Sequence, residues 1–315
     1  MQIINNMNID NIGVNDLKTK LNQILEDKII AIEKGCQEQV LIEANKYISG
    51  KEIKLVLVCD SNKASTDVLI RNLDVLNYLS NISNLVILSN SSKELEEIKN
   101  VQNITDLVSF KLSGYYNKNI DVEVISKFSN IKIFEIEALS DGKKYKLLEN
   151  FNLEKLAIEK LDLSKVEANI NLKHLKISKE LISENLLIEK FPNIVNIELV
   201  NCKKIIDFSF LSNLMHLENI IINNTSIEKF PELSNKVTKV QLLTNKKLKD
   251  IQAIFKLNNL NKIAITDSVV NFEDIIKLSK SDFINFYFRS KLKVENDDFE
   301  KIAIENNFKN NLANW

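Results

Sequence analysis

The feature that most limits what this chain can fold into is a phrase that returns. From Leu217 to Leu233 the sequence reads LENIIINNTSIEKFPEL, with apolar side chains at Leu217, Ile220, Ile222 and Ile227 and a small polar Thr225 between them. Counted from Leu217, the phrase is L-x-x-I-x-I-x-x-T-x-I. Ile194, Ile197, Leu199 and Cys202 repeat it upstream; Val237, Val240, Leu242 and Asn245, then Leu260, Ile263, Ile265 and Ser268, repeat it downstream. Shorter matches start at Ile82, Leu107, Ile131, Leu153, Leu172 and Phe283, and IKLVLVCDS from Ile53 reads as an irregular opening coil. From Leu107 to Phe283 successive starts lie 19 to 24 residues apart. A single coil has no second layer against which to bury its apolar face, so such a chain folds by stacking equivalent coils.

Each repeat has two halves. Alternating apolar residues at the fourth and sixth positions specify a short strand with one buried face. The second half changes period: Ile205, Phe208, Leu211, Leu214 and Leu217 follow at threes, as do Leu248, Ile251, Ile254, Leu257 and Leu260. Spacing of three suits a 3₁₀ or short helical return to the next strand. Only 5 Gly and 2 Pro occur in 315 residues, which fits regular coils joined by Asn, Ser and Lys. A hydrophobic share of 44% supplies the core.

With both halves read, the chain resembles the leucine-rich repeat family, in its short-repeat, internalin-like bacterial class of about 22 residues per coil. The resemblance covers residues 53–293. It implies an α/β solenoid, a right-handed curved array with a parallel concave β-sheet, short helical or 3₁₀ convex segments, and helical caps at both ends. It also implies a non-catalytic module that binds a protein or peptide on the concave face. One departure stands out. The ninth position, Asn in regular members, is here Asn90, Tyr115, Leu139, Leu161, Glu180, Cys202, Thr225, Asn245, Ser268 and Lys291. At Tyr115, Leu139 and Glu180 bulges or altered turns are expected.

The expected limits are an N-terminal helical cap over 1–52, the repeats over 53–294 and a C-terminal helical cap over 295–315. Leu17, Leu21, Ile24, Leu25, Ile29 and Ile32 recur at helical spacing, with Asn15 or Asp16 as N-cap, and Val40, Ala44 and Ile48 continue after Gly35. ENDDFEKIAIENNF reads as the closing helix, with Asp297 or Asp298 as cap, Phe299, Ile302 and Ala303 inward, and Trp315 covering the last coil.

Lys and Arg number 42 against 43 Asp and Glu, a net charge of -1, so there is no electrostatic footprint for nucleic acid or an anionic membrane. The N-terminus lacks a signal-peptide pattern, and no apolar run reaches a membrane span. Three separated cysteines, Cys36, Cys59 and Cys202, point away from a disulfide framework and toward the cytoplasm. The expected state is a monomer with no cofactor and no metal. No glycines cluster into a phosphate loop, and His174 and His216 stand in no metal-ligand spacing. Cys202 fills a structural turn position. The alternative is an enzyme, or enzyme subunit, with its site near Cys36 or Asp60 and the repeats selecting substrate.

Residues at the third, fifth and seventh positions alternate away from the core. They put Glu135, Glu137, Glu159 and Glu198 in an acidic middle beside Lys155, His174 and Lys176. Nearer the C-terminus they present Ile221, Leu243, Tyr287 and Arg289, residue types that anchor interfaces. These are the candidate partner-binding residues. Lys203 with Lys204, and Lys246 with Lys247, fall at one lateral edge. Toxin immunity, regulation and an effector role all use such a surface, and the Asn-, Lys- and Ile-rich composition fits an AT-rich bacterial genome.

Overall fold

The computed structural model describes residues 8–59, 69–89, 100–114, 130–136, 152–280 and 283–308. The chain divides into two compact units, residues 1–158 and 159–315. In the first unit β1 (Ile29–Ile32), β2 (Lys54–Cys59), β3 (Asn84–Ser89), β4 (Ser109–Gly114), β5 (Ile133–Ile136) and the first four residues of β6 (Lys155–Asp162), whose remainder belongs to the second unit, pair in parallel and in chain order. In the second unit β7 (His174–Ile182), β8 (Asn196–Val200), β9 (Asn219–Asn223), β10 (Lys239–Leu243), β11 (Lys262–Thr266) and β12 (Asn285–Arg289) do the same.

Register follows the repeat. Ile197, Ile220, Val240, Ile263 and Phe286 stand side by side on successive strands, and Leu199, Ile222, Leu242, Ile265 and Phe288 form the next row. All ten are buried, as are the first-position residues Leu153, Leu172, Ile194, Leu217, Val237 and Leu260. Fully burying one such side chain stabilises by roughly 1.5–3 kcal/mol.

The turn after the strand depends on two positions. At the eighth, Asn201, Asn224, Thr244 and Asp267 take left-handed backbone, with φ of 57°, 52°, 54° and 49°. Asn and Asp enter that region more readily than other side chains. The turned backbone aims each N–H at the seventh-position carbonyl of the next coil, as from Asn224 to Leu243 at 2.8 Å and from Asp267 to Arg289 at 3.0 Å. At the ninth position the side chains form a buried ladder. Asn245 Oδ1 accepts from the Thr225 N–H and from Thr225 Oγ1, both at 2.9 Å, while Asn245 Nδ2 donates to the Ile222 carbonyl at 2.7 Å. The Cys202 thiol meets the Ile177 carbonyl at 3.7 Å.

The return segments are 3₁₀ turns at Ser209–Asn213 and Gln252–Lys256. Asp207 starts the first by accepting from the Ser209 N–H at 2.8 Å, and Asp250 starts the second from Gln252 at 2.9 Å. Every member of the two period-three runs named above is buried.

Departure appears where the ninth position turns irregular. β6 and β7 run to 8 and 9 residues, against 5 in each of β8 to β12. β7 continues through Lys179 at φ 75° to Glu180 and beyond. Asn90, Tyr115 and Leu139 lie outside the described residues.

The N-terminal region differs from its expectation in two respects, a strand at Ile29–Ile32 and the cap of its first helix. Helix α1 (Val14–Asp27) buries Leu17, Leu21 and Ile24, and α2 (Glu38–Ile48) buries Val40, Leu41, Ala44 and Ile48. Ile29 and Ile32, however, lie in β1 rather than in a continued helix. Lys28 takes φ 56° and ends α1, after which four consecutive apolar residues satisfy a strand as well as a helix. Ahead of β1, Ile9 donates to the Ala31 carbonyl at 3.1 Å, which extends the ladder past the strand edge. Helix α1 also starts earlier than Asn15 or Asp16 would set it. Gly13 is its cap, and Asp16 folds back to accept the Gly13 N–H at 3.4 Å.

Short helices α3 (Leu187–Lys190) and α4 (Phe272–Leu278) serve as returns in the second unit. Helix α5 (Lys293–Glu305) follows β12 and begins before Asp297 and Asp298, so neither caps it. Asn296 instead ties its first turn to Ser290, accepting from the N–H at 2.7 Å and donating to the carbonyl at 2.9 Å. Phe299 and Ala303 are buried, and Ile302 is half-buried. Within the second unit the last strand is aromatic at its inward positions where β8 to β11 are aliphatic. Phe286 and Phe288 pack on Phe299 at ring-centre distances of 4.9 and 5.2 Å. Trp315 lies outside the described residues.

Asn245→Ala strands the buried Thr225 N–H and the Ile222 carbonyl together. It should destabilise by about 1–3 kcal/mol in urea unfolding, whereas Asn259→Ala, at an exposed site, should shift stability by about 0.5 kcal/mol or less. Ile220→Asp puts a lone carboxylate in the stacked row and should abolish the cooperative transition of the second unit; an unchanged melting curve would contradict the register.

Candidate partner-binding face

Outward-pointing side chains of the sheet treat charge differently along the chain. In the first unit Glu135 is held between two lysines, with Lys111 Nζ 3.1 Å from Oε2 and Lys155 on Oε1. Burial opposes ionisation of Glu135, but the hydrogen bonds from Lys155 and Lys111 outweigh it and hold the carboxyl below the usual range. In the second unit Lys176 Nζ lies 2.9 Å from its in-register neighbour Glu198, and Lys179 engages the buried Glu159. A solvent-facing pair such as Lys176 with Glu198 is worth about 0.2–1 kcal/mol. The carboxylates expected as an acidic middle are thus each met by a lysine; Glu137 lies outside the described residues.

His174 is exposed on β7, with Nδ1 2.7 Å from Asn196 Nδ2, and Asn219 in turn donates to Asn196 Oδ1. This polar row gives way, at the same position of β10 and β11, to Lys239 and Lys262. The two lysines are register partners. Burial, and after it Lys262, lower the pKa of Lys239. Both occupy the third position of their repeats, as His174 does in its own. Asn285, which follows Lys262 in the row, is buried, and its Oδ1 accepts no hydrogen bond.

Ile221, Leu243 and Tyr287 are half-buried and Arg289 is exposed, all on the outward face of β9, β10 and β12. Ile221, Gln241, Ala264 and Tyr287 form one register row. Gln241 and Ala264 are both buried within it, Ala264 because its short side chain lies below the level of its neighbours. At the lateral edge Lys203 donates to Asn224 Oδ1 at 2.7 Å and Lys204 engages Glu180, while Lys246 and Lys247 are exposed.

The N-terminal cysteine is built into packing. Cys36 is fully buried, and its thiol lies 3.0 Å from the Ile9 carbonyl. Burial raises its pKa, and the nearby Asp10 carboxylate raises it further. Asp10 is committed to the adjoining turn, accepting the Glu33 N–H at 2.9 Å and the Gly35 N–H at 3.1 Å. Gly35 itself has φ of 103°, and a Cβ there would fall 2.7 Å from the Ile70 carbonyl. A thiol kept protonated in this way is no nucleophile at neutral pH. Burial pushes Cys202 up to about 12, and Cys59 is buried as well. Asp60 lies outside the described residues. Among the described residues no three His, Cys, Asp or Glu side chains gather as metal ligands.

Internalin C2 of Listeria monocytogenes is similar over 72% of this chain and 87% of its own, at 16% identity and a TM-score of 0.34. Internalin F of the same organism is similar over 95% of each chain, at 13% identity and a TM-score of 0.45. A leucine-rich repeat protein of Leptospira interrogans is similar over 88% of each, at 12% identity and a TM-score of 0.39. No protein-family model matches the sequence, and no curated protein does. What decides the fold is the coil itself: one strand per repeat in parallel register, a buried Cys-Thr-Asn ladder at the ninth position and a 3₁₀ return. The fold is a leucine-rich repeat solenoid. Among the described residues of the repeat protein no helix is long and apolar enough to cross a membrane.

The thiols give a direct check. All three should resist alkylation in the native repeat protein at pH 8 and react together on unfolding. Because folding raises the pKa of Cys36 and Cys202, their contribution to stability is complete below the unfolded value of about 8.5 and declines as pH rises above it toward the folded values. Unfolding midpoints should therefore fall in mildly alkaline buffer, and less so in Cys36→Ala, measured as the difference from the variant's own midpoint at pH 7.

Proposed function

We propose that the repeat protein is a non-catalytic recognition module that holds a protein or peptide partner against the outward face of the sheet in its second unit. The observation that carries this reading is the run of Ile221, Leu243, Tyr287 and Arg289 on neighbouring strands, with side chains that the packing of the coils does not consume. Aliphatic, aromatic and arginine side chains on a rigid sheet bind at low ordering cost, because the backbone beneath them is fixed by the ladder on both sides. Glu159, His174, Lys176 and Glu198 form the polar flank of the same face. The terminal segments close the stacked core. Three buried free thiols fit a reducing compartment such as the cytoplasm, and a monomer is the working state.

Burial of Cys36, which keeps its thiol protonated, counts against the enzyme alternative at that residue. Toxin neutralisation, regulation of another protein and an effector role each remain compatible with the same surface.

Tyr287→Ala combined with Arg289→Ala should leave the urea midpoint within about 0.5 kcal/mol and weaken capture of the native partner at least about tenfold. The measurement is quantitative affinity capture from the source organism, variant against parent. Undiminished capture of every specific partner would remove this patch from the interface.

A further inference from the structure

The second unit carries a depression of about 350 Å³ at the edge where the chain enters β7 to β10, outside the candidate partner-binding face. Its rim is built by residues that precede a register row. His174, Asn196 and Asn219 stand side by side, so the residues just ahead of them, Lys173, Val195 and Glu218, follow one another along the same edge. Lys173 and Glu218 are exposed, and Val195 between them is half-buried. Ile170 adds a second aliphatic side chain, 65% exposed, and Asn193 Nδ2 fixes its coil by donating to the Ile170 carbonyl at 2.8 Å. The backbone beneath is fixed as well. The Val195 N–H donates to the Lys173 carbonyl and the Glu218 N–H to the Val195 carbonyl, both at 2.9 Å.

Spacing keeps the two charges apart. Elsewhere in the unit a lysine and a carboxylate one coil apart meet, as Lys176 with Glu198 and Lys249 with Glu228, both at 2.9 Å. Lys173 and Glu218 lie two coils apart, on the order of 10 Å at a strand spacing of about 4.8 Å. Val195 stands between them, and among the described residues neither forms an ion pair. Lys236, the other cation of the rim, turns to His216, with Nζ 3.4 Å from Nδ1. The depression therefore offers a cation at one end, a carboxylate at the other and aliphatic groups between. Nucleic acid, or a wholly acidic segment, would satisfy Lys173 and be repelled by Glu218; a wholly basic one would meet the reverse. A ligand of mixed charge satisfies both ends.

We propose that this depression is a second contact site of the repeat protein, taking a protein segment that carries a carboxylate and an ammonium or guanidinium group about 10 Å apart, with an apolar side chain between them. The carboxylate meets Lys173, the cation meets Glu218, and the apolar group covers Ile170 and Val195. No internal ion pair has to break for such a segment to bind, and the backbone that presents the two charges is already ordered. The site goes beyond the outward-face reading and does not depend on it.

The test is a synthetic peptide array probed with the full chain. Each peptide holds a leucine between two charged residues, at a range of separations, in acid–base, acid–acid and base–base versions. The expected result is that mixed-charge peptides of at least one separation bind the parent roughly tenfold more tightly than either like-charge version. Lys173→Glu should transfer that preference to base–base peptides and Glu218→Lys to acid–acid ones, and the double variant should return it to mixed charge. Urea unfolding comes first, and these exposed positions should leave the midpoint unchanged. Should a reversal lower it, Lys173→Gln and Glu218→Gln replace the reversals, and each should erase the preference. Like-charge peptides bound by the parent as tightly as mixed ones, no binding by any mixed-charge peptide, or a preference that ignores both charge changes would overturn the inference. Mixed-charge peptides lost on Tyr287→Ala with Arg289→Ala, yet indifferent to changes at Lys173 and Glu218, would overturn this site and leave the outward-face reading standing.

Discussion

Parallel register between successive coils is the constraint from which the rest follows. Each strand from β8 to β12 is only 5 residues long, too short to be stable alone, and its inward residues meet equivalents from neighbouring coils. Ile220 is buried because Ile197 and Val240 flank it. The same register fixes the turn. If the seventh-position carbonyl of one coil is to receive the eighth-position N–H of the coil before it, the chain must leave every strand at the same place and in the same left-handed conformation. That is why Asn201, Asn224, Thr244 and Asp267 agree in φ while differing in side chain. It is also why Asn245 can bond the preceding coil twice, its side-chain oxygen accepting from Thr225 and its amide donating to the Ile222 carbonyl.

Stacking also dictates what happens at the surface. Residues one repeat apart stand about 4.8 Å from each other on adjacent strands, so every outward charge has an obligatory neighbour. Lys111 with Glu135 and Lys176 with Glu198 use that adjacency to cancel charge. Lys249 with Glu228 does the same on the turn side. Individually such pairs contribute little, but their period matches that of the core, which shows that surface charge follows the repeat as the aliphatics do. Lys239 and Lys262 are register neighbours in a region of regular backbone, so the same adjacency that brings opposite charges together elsewhere here sets two like charges side by side.

Much of the fold was legible because apolar spacing is a one-dimensional record of which residues share a core row. Leu217, Ile220 and Ile222 could be placed inward from their spacing alone, and the period-three run from Ile205 to Leu217 announced its 3₁₀ return. What escaped depended on information that spacing does not hold. Ile29 to Ile32 is a strand because Lys28 turns left-handed, a backbone event that leaves no trace in the hydrophobic pattern. The left-handed eighth position was visible as Asn201, Asn224 and Asp267, yet Thr244 hides it. The acidic middle looked like a cluster when outward residues were read strand by strand; across strands the lysines beside Glu135, Glu159 and Glu198 dissolve it.

Sheet-face chemistry in a stacked array is set by which outward residues the neighbours leave unused. Ala264 sinks between its flanking strands because its side chain is short, while Ile221 and Tyr287, in the same row, are half-buried. The row passes from Glu198 on β8 to Ile221 on β9, so the outward fifth position turns from charged to apolar at that step. The change does nothing for the core beneath, because the inward residues on either side of it, Ile197 with Leu199 and Ile220 with Ile222, are buried whichever outward residue stands between them.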